Sequence, residues 1–141
     1  MILFEYDTGF PLPEDWDEEK VRKWLEECIR KFQVKVNSLI YTFLDDGQMQ
    51  IVNLQIFNRD YLTDTITLSY EQEKDYGGEV YISLERVRDN ARKYNTSYLN
   101  ELLRVIVHSF LHTLGYNDHT TDEKQQMRCL EDECMKYYTR E

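Results

Sequence analysis

One stretch constrains this chain more than any other: "SYLNELLRVIVHSFLHTL", residues 97–114. Its second half is apolar around the whole circumference, so the helix it predicts is buried rather than laid on a surface. Asn95 or Ser97 supplies the N-cap. Gly115 stands where the helix should stop, because glycine takes the left-handed position past a C-terminus without steric cost. Into this apolar helix the sequence sets His108 and His112, and His119 follows beyond the turn; no other histidine occurs in the chain. Whatever fold buries the helix must also house two imidazoles.

The flanking sequence supplies the covering elements. "ILFEY" is short and rich in β-formers, a predicted first strand. After the connector "GFPLPED", Asp15 is placed to cap a helix from about Trp16 to Phe32, with Val21, Trp24, Leu25, Cys28 and Phe32 along one face. "SLIYTFL" (38–44) reads as a buried strand, closed by the turn "DDG". Met49, Val52 and Ile56, spaced by three and four, predict a short helix. Strands follow at 63–70 and 79–84, separated by the polar loop "EQEKDYGG", and then a helix from about Leu84 to Tyr94. Thr120 and Glu123 form a capping box for a last helix ending near Tyr138. Interleaved strands and helices in 141 residues predict one domain, 1–141, of the α/β (α+β) class: a single-layer sheet of about four strands with packed helices.

Composition narrows the setting. No apolar run reaches the roughly 18 residues a membrane span needs. "MILFEYDTGF" has neither a basic n-region nor a small-residue cleavage site, so no signal peptide is expected. Cys28, Cys129 and Cys134 are odd in number and lack CxxC spacing, which suits a reducing cytoplasm and excludes both a disulfide framework and a Cys-rich zinc site. Nothing indicates a homo-oligomer. The formal net charge of −10 speaks against a uniformly basic nucleic-acid binder. Charge is unevenly spread, however: acids crowd 14–27 and 122–133, whereas 86–104 is net basic through Arg86, Arg88, Arg92, Lys93 and Arg104. Such a basic stretch is either a solvated helix face or part of a phosphate path.

Residues four apart on a helix lie one above the other, so His108 and His112 present parallel imidazoles at the spacing by which zinc proteases hold their metal. Past Gly115 the chain turns, and either Asp118 or His119 can swing back as a third ligand. Three protein ligands leave a fourth position for water, the pattern of a catalytic zinc site. Two buried histidines without a metal would each need partners for both ring nitrogens, and this helix offers few. The expected cofactor is therefore Zn2+, one per chain. The zinc proteases follow their first histidine with a glutamate that serves as general base; here that position is Ser109, so peptide hydrolysis by that route is not expected and no catalytic base is identified.

The same residues carry a family likeness. "HSFLHTLGY" resembles the signature H-G-x-L-H-L-x-G-Y-D-H of the YbeY endoribonucleases, matching at His108, Leu111, His112, Gly115 and Tyr116. The similarity extends upstream to Asn53, Thr63-Asp64 and Gly78-Glu79-Val80, with Ala91 and Glu101 at further recurrent positions. The resemblance implies a zincin-like fold. It also implies a zinc-dependent, single-strand-specific endoribonuclease of ribosomal RNA processing, chiefly at the 3′ end of the small-subunit RNA. Its implied partners are ribosomal RNA and small-subunit proteins. The alternative is a ribosome assembly factor whose metal is mainly structural. Counted from Gly115, the family's third ligand falls on Asp118, and His119 becomes the equivalent only with a one-residue insertion. Ser109 and Thr113 replace a family glycine and leucine, and Phe57 stands where the family often has an arginine. Arg86, Arg88 and Arg92 are the RNA-contact candidates.

Overall fold

The computed structural model of the chain describes residues 1–59, 62–72 and 75–139. Ile2–Tyr6 forms β1 and Glu18–Lys31 forms α1, capped by Asp17 rather than Asp15. Lys35–Leu44 is β2, Asp46–Phe57 is α2, Thr65–Gln72 is β3 and Asp75–Ser83 is β4. Leu84–Lys93 is α3, Tyr98–Thr113 is α4 and Thr121–Tyr138 is α5. The sheet order is β1-β2-β4-β3, with β1, β2 and β4 parallel and β3 antiparallel at one edge. This is the mixed α/β arrangement of four strands and packed helices expected from the sequence.

The sheet also departs from the expectation at one edge. Much of the polar segment 71–78 is strand: β3 pairs with β4 in continuous register from Thr65↔Ile82 to Gln72↔Asp75. Its polar side chains hid it, because a ribbon at the sheet margin needs backbone partners more than an apolar face. Of the two N-cap candidates for α4 the structure selects Ser97, which accepts from Asn100 N, whereas Asn95 takes a left-handed φ of 55° just after α3.

Strand alternation sorts the core onto two faces. Ile2, Phe4, Leu39, Tyr41, Phe43, Val80 and Ile82 belong to the main cluster, together with Trp24 and Leu25 of α1 and Ile106 and Phe110 of α4. Tyr81, between Val80 and Ile82, turns the other way and packs with Leu44, Met49 and Ile66 in a smaller cluster beneath α2. α4 is buried at Leu102, Leu103, Val105, Ile106, Val107, Phe110 and Leu111, so it is the central helix its all-round apolarity predicts.

Where α4 crosses the sheet margin the approach is close. A Cβ on Gly78 would lie 2.8 Å from the Leu68 carbonyl and 3.0 Å from the Thr113 Cγ2. Beside it, Thr65 of β3 reaches Ser109 of α4, with 3.1 Å between the hydroxyls. Ser109 also donates to the Val105 carbonyl at 2.9 Å, so its oxygen is left to accept from Thr65. Ser109 is thus a buried tie between α4 and the edge strand, not a group facing a reaction.

Candidate metal centre

His108 and His112 project from adjacent turns of α4 with ring centroids 4.5 Å apart. Each imidazole is held through Nδ1. His108 Nδ1 donates to Glu131 Oε2 at 2.6 Å, and His112 Nδ1 donates to the Tyr116 carbonyl at 2.9 Å. Both partners are acceptors, so in the neutral imidazoles the proton sits on Nδ1 and Nε2 presents a lone pair. These lone pairs face each other at 3.0 Å. Asp118 Oδ2 joins them, 3.4 Å from His108 Nε2 and 3.6 Å from His112 Nε2.

Three electron-rich atoms so close repel one another unless a positive charge sits among them. Tetrahedral zinc with metal–ligand bonds of about 2.0–2.1 Å separates its ligand atoms by about 3.3 Å. The observed separations of 3.0, 3.4 and 3.6 Å straddle that value. Among the described residues, His108, His112 and Asp118 are the one grouping of potential ligands with this convergence. The donor set, two imidazole nitrogens and one carboxylate, fits a divalent ion with an open fourth position.

Local folding explains how Asp118 arrives there. Gly115 takes φ +96° and its N–H bonds back to the His112 carbonyl at 3.0 Å, while Tyr116 N reaches the Leu111 carbonyl at 3.2 Å. The Tyr116 ring packs on Phe32, 6.1 Å between centroids, which fixes the exit direction of the chain. Thr120 then caps α5, its hydroxyl accepting from Glu123 N while the Glu123 carboxylate accepts from Thr120 N. Two capped helix ends, at Leu114 and Thr120, thus bracket the five residues 115–119, and Asp118 turns inward from them. His119 is exposed and stands outside the cluster, on the wall of the adjoining cleft.

Glu131 is the site residue that the sequence reading missed. It belongs to the acidic stretch 122–133, yet it is buried on α5 in line with Met127 and Cys134. The spacing 127, 131, 134 is the signal: a carboxylate on the inward stripe of a helix needs a partner. It has two, His108 and Arg104 Nη1 at 2.9 Å, and Arg104 also holds Asp132 at 2.9 Å. Burial works against charging His108, but Glu131, Asp118 and Asp64 outweigh it and hold the imidazole above its ordinary pKa. Burial, then the neighbouring His108, pushes His112 below. Burial raises the carboxyls of Asp64 and Glu101, and Asp64 raises Glu101 further.

Two clefts meet at the cluster. One, of about 570 Å³, runs past His112 and Asp118 to Phe57 and Arg59 at the end of α2 and to the edge strand β3. The other, of about 380 Å³, lies on the His108 side between α4 and α5, where Lys124 and Arg128 join Glu101 and Asp64. The structure does not bring the three arginines of α3 to either wall. Arg86 is engaged by Asp46 and Asp89 at 3.1 and 2.8 Å. Arg88 holds Asp89 at 3.2 Å and lies over the Phe10 ring, and Arg92 is exposed near the end of α3. The cations at the clefts are Arg59, Arg104, Lys124 and Arg128 instead.

Comparison with known proteins decides the lineage. The Endoribonuclease YbeY family profile matches residues 7–139. The chain belongs to the endoribonuclease YbeY family. Curated relatives named Endoribonuclease YbeY include one from Flavobacterium johnsoniae, 36% identical over 94% of this chain and 94% of its own. Another, from Amoebophilus asiaticus, is 39% identical over 91% of this chain and 86% of its own. The solution structure of TM1509 from Thermotoga maritima superposes with a TM-score of 0.73 at 26% identity, covering 98% of this chain and 89% of that one. Within this YbeY chain, no helix among the described residues is long and apolar enough to cross a membrane.

Proposed function

We propose that this YbeY-family chain is a zinc-dependent, single-strand-specific endoribonuclease of ribosomal RNA processing, acting in the cytoplasm chiefly on the 3′ end of the small-subunit RNA. The observation that carries the reading is the convergence of His108 Nε2, His112 Nε2 and Asp118 Oδ2 at the junction of two open clefts, in a chain whose relatives are named endoribonucleases. A divalent ion held by these groups supplies Lewis acidity toward a phosphodiester oxygen and makes a bound water more acidic.

The chain's own residues set the conditions for that chemistry. Glu131 and the Tyr116 carbonyl keep the histidine protons on Nδ1, so Nε2 stays free to ligate. The Asp118 carboxylate removes a unit of positive charge from the site, which moderates the acidity of water there. Arg59 on one side and Lys124 and Arg128 on the other offer cations to successive phosphates of a strand lying across the cluster. His119, exposed on the cleft wall, offers an imidazole as a general acid or base for the reaction. Ribosomal RNA and small-subunit proteins are the partners this reading assigns.

Cleavage of a single-stranded RNA by the purified protein, with metal added or chelated, tests the proposal. Cutting should need the metal and should vanish in His112→Ala. Metal-independent cutting that survives His112→Ala would refute it. Ribosome binding without any cutting would favour an assembly factor with a structural metal.

A further inference from the structure

The larger cleft contains an aromatic ring that the metal chemistry does not use. Phe57 is the last residue of α2, and 39% of its surface is exposed although it is a large apolar side chain. Asn58 ends the helix in the left-handed conformation, φ 52°, and folds the chain back. That reversal brings the Arg59 guanidinium to 5.4 Å from the centre of the Phe57 ring. The same cleft is walled by Thr67 and Ser69 of β3 and by Asn117, and it ends at His112 and Asp118. Its volume of about 570 Å³ falls within the roughly 300–1,000 Å³ of small-ligand sites.

We infer that Phe57, backed by Arg59, is a stacking platform for one unpaired nucleobase of the substrate, and that Asn117 and the β3 hydroxyls face that base's polar edge. The inference rests on the endoribonuclease reading and names the part of the site that selects single strands. Among the described residues of the wall Phe57 is the one phenyl ring, set among amides and hydroxyls; this suits a ligand with an apolar face and a polar edge, which describes a nucleobase. Stacking is open to any base, so the platform is tolerant of sequence. It is closed to paired bases, which keep their faces inside the duplex and must be splayed out before an aromatic can take them. The ring and the metal ligands wall one cleft, so a strand held by its base at Phe57 is drawn toward the cluster.

The test measures binding of the metal-loaded full chain to a short unstructured phosphorothioate oligoribonucleotide by fluorescence anisotropy. Phe57→Ala should weaken binding by about 5- to 150-fold, the range of one lost base–aromatic stack. Phe57→Trp should retain affinity, and the introduced indole should be quenched on adding RNA. An abasic residue moved along the oligonucleotide should, at one position, make wild-type and Phe57→Ala bind alike. Because Phe57 is outside the core, the alanine variant should unfold at the wild-type urea midpoint, and the tryptophan variant gives a second reading. Equal affinity of wild-type and Phe57→Ala for the intact probe, with wild-type still cutting single-stranded RNA, would overturn the platform alone. A wild-type chain that neither binds nor cuts would overturn the endoribonuclease reading with it.

Discussion

Two hydrogen bonds decide what His108 and His112 can do. A neutral imidazole has one proton, and an acceptor at Nδ1 commits that proton there, leaving Nε2 as a ligand. For His108 the acceptor is a buried carboxylate and for His112 a backbone carbonyl, so the two ligands are unequally tunable. Glu131→Gln keeps the shape of the contact and removes its charge. Metal affinity in a chelator competition should fall about 10- to 100-fold, as is usual for a lost outer-shell partner. Unchanged affinity would mean that packing alone orients His108. Asp118 and His119 have opposite signatures. Asp118→Asn exchanges a charged ligand for a neutral one and should strip the metal under the same competition. His119→Ala should leave the metal in place and slow RNA cleavage. The reverse pattern would shift the third ligand by one residue.

Among the elements, the end of α4 matters most, because four residues beyond it must return a carboxylate to the helix they have just left. Gly115 makes the reversal with φ +96°, and no neighbouring atom lies within 4 Å of where a Cβ would be. Gly115→Ala therefore has no clash to relieve; its cost is backbone strain alone, about 1–2 kcal/mol. Relaxing that strain re-aims Asp118, so metal affinity should fall together with stability. Thr120→Ala is the useful contrast. Losing this cap should cost about 0.5–2 kcal/mol of stability at the start of α5, with a smaller effect on metal binding because the turn at Gly115 is intact. Both are read by urea denaturation of the metal-free protein alongside chelator competition. Equal losses of metal affinity in the two variants would show that α5, not the turn, sets Asp118.

At the scale of the whole molecule, the site exists because α4 is pressed against β3 and β4 while α5 closes over it. α5 is fastened to α1 by the Trp24 indole, which donates to the Cys134 carbonyl at 2.7 Å across 110 residues of sequence. α4 is fastened to the sheet by Tyr41, whose hydroxyl donates to the Ile106 carbonyl at 2.8 Å. At the margin the limit on approach is Gly78. A Cβ there meets a strand carbonyl and the Thr113 methyl at once, so Gly78→Ala should destabilise the metal-free protein by about 1–3 kcal/mol. Thr113→Ser removes only the methyl and should recover part of that loss. Full recovery would mean that the Leu68 carbonyl yields freely, and no recovery that the strand contact dominates.

Periodicity and punctuation in the sequence carried the elements that are determined locally. α4 was legible because an all-round apolar surface admits one environment, the interior. The pair His108 and His112 was legible because a four-residue spacing on a helix leaves the side chains no choice of face. Gly115 and the Thr120–Glu123 box marked the ends of their helices through chemistry contained within a few residues. Tertiary structure decided the rest. Asp118 and His119 differ by one position in a turn whose path is set by Tyr116 packing on Phe32, a contact no local pattern encodes. Glu131 became part of the site only when α5 folded over α4, and the cations that wall the clefts come from the segment just after α2, from α4 and from α5, not from the basic run of α3. Spacing fixes which side chains share a face of one helix; which faces meet is settled by the packing of the core.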